Sequence, residues 1–186
     1  MNIVLGFVAA LTVLNFILIL GLLRQSRRHS EHISVLTRAR TPNYELLSRG
    51  TQVPDFAVTT VAGEQWSLAD VAGAPSLFGF FMVHCPPCKA KVPEFTAYVR
   101  RATAQGASAL AVVIGEEELA AEYVRELEEV MPVVVETPGG PVLSAFSVTN
   151  YPAFFALDPN GRVWSSGPTI RSLASPATAA ATSDAG

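Results

Sequence analysis

Val83-His84-Cys85-Pro86-Pro87-Cys88-Lys89 holds both cysteines of the chain. An apolar run, Ser76 to Val83, leads into it, and a helical pattern starting near Pro86 leads out. The stretch reads as a strand feeding directly into a helix, with Cys85 on the junction. A helix N-terminus carries partial positive charge and unpaired N–H groups, so a thiolate at Cys85 is stabilised there. Cys88, one turn further in, is placed to attack a mixed disulfide on Cys85. A cysteine pair in this setting reads as redox chemistry.

Other uses of the pair fit less well. As a staple, so short a loop removes roughly 2 kcal/mol of unfolded-state entropy, against about 3 for a fifteen-residue loop. Zinc takes four ligands, commonly from two separated Cys or His pairs, and the sequence has no second pair. Covalent haem attachment wants His directly after the second cysteine, where Lys89 stands. No metal site is expected.

At 186 residues and 49% apolar, the chain has room for one domain plus an appendage. A formal charge of −3 gives no case for nucleic-acid binding. Two cysteines in one motif exclude a disulfide-dense secreted scaffold.

Ile3 to Leu23 is apolar except for Thr12, Asn15 and two glycines. As a helix it reaches roughly 30 Å, enough to cross a bilayer's hydrocarbon core. No basic residue precedes it and no small-x-small site precedes Arg24, so a cleavable signal peptide fits poorly. The expectation is a retained single-pass anchor over residues 1–23, followed by a polar stalk over 24–49. His29 and His32 in the stalk read as solvated residues. Arg24, Arg27, Arg28, Arg38 and Arg40 follow the span, and the positive-inside rule would place everything after them in the cytoplasm. Large domains translocate despite such flanks.

A globular domain is expected over 50–170. Phe56 to Val61 alternates as a strand, and Gln65 to Leu68 returns as its hairpin partner. Trp66 reads as packing. Ser76 to Val83 is a strand apolar on both faces. Pro87 to about Gln105 is a helix, with Val92, Phe95, Val99 and Ala102 on one face and a kink expected at Pro93. Ala109 to Ile114 is a buried strand. Glu116 to Glu129 is an amphipathic helix with Leu119, Tyr123, Val124 and Leu127 inward, its leading glutamates a solvated face suited to the helix start. Pro132 to Val135 is a short strand and Val142 to Val148 a short helix. Ala153 to Leu157, the turn Asp158-Pro159-Asn160-Gly161, and Arg162 to Ser165 form a second hairpin. The tail, 171–186, is small and polar, with nothing to bury, and is expected to be disordered. This alternation gives an α/β architecture with a mixed sheet flanked by helices.

Several of these pieces together resemble a family. Cys85-Pro86-Pro87-Cys88 after a buried strand, Pro93 five residues later, and the lead-in Gln65-Trp66-Ser67-Leu68-Ala69-Asp70 are similar to the membrane-anchored, TlpA/ResA-like branch of the thioredoxin fold. So is Tyr151-Pro152-Ala153-Phe154-Phe155-Ala156-Leu157-Asp158-Pro159-Asn160-Gly161-Arg162-Val163. The resemblance implies a thioredoxin fold with an N-terminal β-hairpin extension, preceded by one transmembrane helix. It implies that Pro152 is a cis proline facing the cysteines, and that the Tyr151 backbone receives an extended substrate segment. The anchor and Arg24-Gln25 also resemble the MauD-type accessory proteins of methylamine-utilisation operons, which are linked with disulfide formation in an exported enzyme subunit.

The sequence departs from the family's pattern in three places. His84 stands where Trp is usual; a protonated His84 would hold Cys85 as thiolate, and packing at the site's edge is the alternative. The buried acid of thioredoxins falls at Gly79, and the glutamate that many ResA-like members carry falls at Lys91. Lys89 and Lys91 favour thiolate electrostatically, or are simply solvated.

The resulting expectation is a membrane-tethered thiol–disulfide oxidoreductase acting on protein disulfides. Cys85 attacks, Cys88 resolves, and Tyr151 with Pro152 positions the substrate. No cofactor beyond the redox-active disulfide is required, and an integral-membrane thiol carrier is the expected electron partner. The redox domain is expected on the extracytoplasmic face, in maturation of exported proteins, although the arginines argue the opposite. The rivals are a cytoplasm-facing disulfide reductase, a peroxiredoxin-like peroxidase, a copper-delivery module of the Sco type and a non-catalytic assembly or binding module. Peroxidase chemistry wants Thr or Ser three residues before its cysteine, where Met82 stands. The copper module wants wider cysteine spacing and a later histidine.

Overall fold

The computed structural model describes residues 46–173 and, by itself, Phe16. The expected anchor, nearly all of the stalk with His29 and His32, and residues 174–186 of the expected tail lie outside the described residues. Among the described residues no helix is long and apolar enough to cross a membrane.

The central sheet follows from its sequence pattern. Strands β3 (Ser76–Met82) and β4 (Ser108–Ile114) are buried almost end to end, as runs apolar on both faces must be. They pair in parallel, and β4 pairs in parallel with β5 (Val133–Glu136). On its other side β3 pairs antiparallel with β6 (Ala153–Leu157), which pairs antiparallel with β7 (Val163–Gly167). The order is β5-β4-β3-β6-β7. A separate ribbon joins β1 (Ala57–Thr59) to β2 (Gln65–Ser67), antiparallel.

Strand periodicity divides the core in two. Leu77 and Phe81 join Val92, Phe95 and Val99 of helix α1 (Pro86–Thr103) and Ala120, Tyr123 and Leu127 of helix α2 (Glu117–Glu128). Phe78 and Phe80 point the other way, toward Val58 of β1, Leu68, and Val142 and Leu143 of the short helix α3 (Pro141–Ala145). Phe78, Phe80, Phe81, Phe95, Phe146, Phe154 and Phe155 are all fully buried. At roughly 1.5–3 kcal/mol per buried side chain, these rings contribute substantially to the driving force on both faces. Trp66 packs edge-on against Phe78 at 5.9 Å.

The structure departs from the sequence expectations at three points. Helix α2 starts at Glu117, and its phase turns Ala120, Tyr123 and Leu127 inward; Leu119 is therefore 43% exposed instead of buried. Val124 is only half-buried. Ile170 and Leu173 are buried against the α1/α2 side, and Leu46 and Leu47 pack on the opposite core, so the folded part extends a few residues beyond both expected boundaries.

Candidate active site

The turn from β3 to α1 brings the two cysteines together. His84 makes the turn at φ +58°, a left-handed conformation in which His is more common than most residues. Cys85 is the N-cap of α1, and Pro86 and Pro87 fill its first two helical positions. Their rings suit a helix start and carry no N–H. The first helical N–H is therefore that of Cys88. It donates to the Cys85 carbonyl at 2.9 Å and to Cys85 Sγ at 3.2 Å. The Lys89 N–H donates to the same carbonyl at 3.1 Å.

Cys85 and Cys88 form a disulfide with Cα atoms 5.2 Å apart. The two sulfurs differ in access. Cys88 is fully buried in the cluster with Phe95 and Phe81, whereas Cys85 is half-exposed. An incoming thiolate therefore meets Cys85 first. In the reduced pair the Cys85 sulfur sits at a helix N-terminus with the Cys88 N–H directed at it, a setting that stabilises a thiolate.

Helix α2 forms the opposite wall. The Tyr123 hydroxyl donates to the Cys85 carbonyl at 3.3 Å, across 38 residues of sequence. Lys89 Nζ lies 2.6 Å from Glu126 and 3.2 Å from Glu122, and 5.1 Å from the centre of the Tyr123 ring. Burial works against the Lys89 charge, but the hydrogen bonds and charges of Glu126 and Glu122 outweigh it and raise its pKa. Burial also raises the Tyr123 pKa, partly offset by Lys89, so its hydroxyl stays a donor. Between the walls runs a groove of about 710 Å³ lined by His84, Cys85, Leu119 and Tyr123 among others. Lys91 pairs with Glu94 at 2.7 Å, away from this constellation.

Tyr151 and Pro152 come to the same end of the sheet. Phe80 pairs with Ala153, so the two residues before Ala153 lie beside the end of β3 that leads to Cys85. Their peptide bond is cis. Tyr151 packs against both core clusters, and its pKa is raised by burial and then by the charge of Glu136.

Sequence reasoning missed two residues. Tyr123 was legible as a buried position, but not as a partner of Cys85. Glu136, only 6% exposed, accepts from the N–H groups of Val142 and Leu143 at 2.9 and 3.0 Å. The available signal was an acid placed shortly before Pro141, since Pro at a helix start leaves the next N–H groups in need of an acceptor. Among the described residues no group of three or more His, Cys, Asp and Glu could hold a metal ion.

A mixed sheet with a Cys-x-x-Cys disulfide at the N-terminus of its first long helix is a thioredoxin-like fold, and solved structures share it. The thioredoxin domain of a thiol-disulfide oxidoreductase from Bacteroides vulgatus superposes with a TM-score of 0.60 at 20% identity, over 68% of this chain and 93% of that one. A thiol:disulfide interchange protein from Chlorobium tepidum superposes at 0.58 with 24% identity, over 73% and 97%. The AhpC/TSA family profile matches residues 49–166, and the chain belongs to that family. Among curated relatives, the thiol-disulfide oxidoreductase ResA of Bacillus subtilis is 29% identical over 120 residues, 64% of this chain and 66% of that protein. The match thus spans just under two thirds of the relative's length.

Proposed function

We propose that the protein is a thiol–disulfide oxidoreductase that exchanges the Cys85–Cys88 disulfide with protein thiols and disulfides. The observation that carries this reading is the asymmetric pair: a half-exposed sulfur at a helix N-cap bonded to a fully buried one. The kinship with ResA-named relatives supports it.

In the oxidising direction, a client thiolate attacks Cys85 Sγ. A client–Cys85 disulfide forms, the Cys85–Cys88 bond breaks, and Cys88 leaves as thiolate and takes a proton. A second client thiolate then attacks the client sulfur and expels Cys85 as thiolate. The client loses two electrons and the pair gains them. In the reducing direction, Cys85 thiolate opens a client disulfide and Cys88 resolves the mixed species. Tyr151 and Pro152 hold the client segment beside Cys85, and His84 and Lys89 tune the thiolate. No further cofactor takes part.

The apolar run Ile3–Leu23 supports a single-span tether, which keeps the domain at high local concentration beside an integral-membrane thiol carrier. The reading places the domain on the extracytoplasmic face, in maturation of exported proteins as in the MauD-type branch. The flanking arginines favour the other side.

The test has two arms. Purified protein is assayed for reduction of insulin disulfides and for oxidation of a dithiol peptide, with Cys88→Ser expected to accumulate a mixed disulfide through Cys85 and Cys85→Ser expected to be inert. Equal activity of Cys85→Ser and wild type would end the exchange reading, and rapid consumption of hydrogen peroxide would move it to a peroxidase. In cells, a membrane-impermeant thiol reagent applied after brief reduction should label Cys85 without lysis. Labelling only after lysis would place the domain in the cytoplasm.

A further inference from the structure

The Cys85 carbonyl is oversubscribed, and the donors around it suggest how the site handles charge. Three groups donate to that one oxygen: Cys88 N–H at 2.9 Å, Lys89 N–H at 3.1 Å and the Tyr123 hydroxyl at 3.3 Å. A carbonyl oxygen offers two lone pairs. Cys88 N–H is itself divided between this oxygen and Cys85 Sγ at 3.2 Å. It is also the first N–H that the helix supplies, because Pro86 and Pro87 have none.

We propose that Tyr123 is a positioning residue of the redox site: its hydroxyl holds the Cys85 carbonyl so that Cys88 N–H is released to the Cys85 thiolate of the reduced pair. When Cys85 gains charge, its sulfur draws the Cys88 N–H more strongly than a neutral carbonyl does. The carbonyl then depends on its remaining donors, and the hydroxyl from α2 replaces what it loses. Without that hydroxyl, the carbonyl is left with Lys89 N–H alone whenever Cys88 N–H turns to the thiolate, and it holds Cys88 N–H back more strongly.

The hydroxyl is fixed in place for this role. Tyr123 is 5% exposed, its ring lies 6.2 Å from that of Phe81, and Lys89 caps it while pairing with Glu122 and Glu126. Burial raises its pKa, which keeps the hydroxyl a donor. The titratable and charged groups facing Cys85 are His84 on the preceding turn, Lys89 on α1, and Glu118, Glu122 and Arg125 on α2. Tyr151 packs on the same cluster. Tyr123→Phe removes none of these groups.

This inference rests on the exchange chemistry proposed above. The experiment compares wild type with Tyr123→Phe in three readouts: the pH profile of Cys85 alkylation, the equilibrium of the pair with glutathione, and the thermal melt. The alkylation midpoint should move up, leaving about two- to fivefold less thiolate below it, the scale of one neutral hydrogen bond. Equilibrium with glutathione should move toward the disulfide by a similar factor, because the reduced form has lost stabilisation. An unchanged or lowered midpoint together with an unchanged equilibrium overturns the proposal, whatever happens to the melt. Wild-type turnover of a small disulfide and of insulin is measured in parallel. If wild type is inactive, the exchange reading itself has failed; if it is active and Tyr123→Phe titrates identically, only the role of Tyr123 has.

Discussion

Phe95 fills the space that a side chain at Gly79 would need: a methyl group built on Gly79 would lie 2.6 Å from Phe95 Cε1 and 3.0 Å from Phe81 Cε2. The Phe95 ring is itself held by Phe81 and Phe154, at centroid distances of 5.6 and 5.2 Å. The chamber beneath Cys88 is therefore aromatic at the position where the family resemblance puts an acid. Gly79→Ala should destabilise the domain by about 1–3 kcal/mol through overpacking, read as a lower urea midpoint with unchanged slope. Wild-type stability would show that the ring moves aside at no cost.

Glu136 links the end of β5 to the start of α3 through two hydrogen bonds to backbone N–H groups. Glu136→Ala leaves both donors buried without their acceptor, at a cost of about 1–3 kcal/mol each. Glu136→Gln keeps one acceptor oxygen and should lose less. Chemical denaturation of the two variants ranks them, and equal losses would contradict the hydrogen-bond account.

Leu119 and Leu127 sit on one helix with opposite exposure, 43% and 0%. Leu127→Ala should cost about 2–5 kcal/mol, as large-to-small core changes do. Leu119→Ser should stay within about 0.5 kcal/mol of wild type, as surface changes usually do. Thermal melts of both variants test the helical phase directly; a large loss at Leu119 would mean the helix buries a different face.

Alkaline stability follows from four groups. Burial raises the pKa values of Tyr98, Tyr123 and Tyr151, and Lys89 is raised because Glu126 and Glu122 outweigh its burial. Each group binds its proton more tightly in the folded state. Above the ordinary values, about 10 for Tyr and 10.4 for Lys, the native state holds more protons than the unfolded one, and stability falls as pH rises. The contribution is fully present below those values and is lost as pH passes the raised folded ones. Urea denaturation between pH 7 and 11 should show a plateau and then a decline. Tyr151→Phe should make that decline shallower, and an identical decline would remove Tyr151 from the account.

The local chemistry of this protein was legible in its sequence. Ser76–Met82 and Ser108–Ile114 are apolar at every period, so they had to become strands covered on both faces. Pro86 and Pro87 fixed where α1 begins, since proline suits a helix start and little else in a helix. Together these two facts placed Cys85 at an N-cap and Cys88 one turn inside.

Contacts between distant segments were decided only by the tertiary structure. No periodicity could show that Tyr123 reaches the Cys85 carbonyl, that Glu136 serves Val142 and Leu143, or that Phe95 closes over Gly79. Periodicity reports which side of an element is buried, and it left the phase of α2 open enough to misplace Leu119. What a buried group touches depends on how the sheet order β5-β4-β3-β6-β7 brings separate elements together. The sequence by itself determined a dithiol on a strand-to-helix junction; the packing of α2 against that junction decided which residues surround its sulfur.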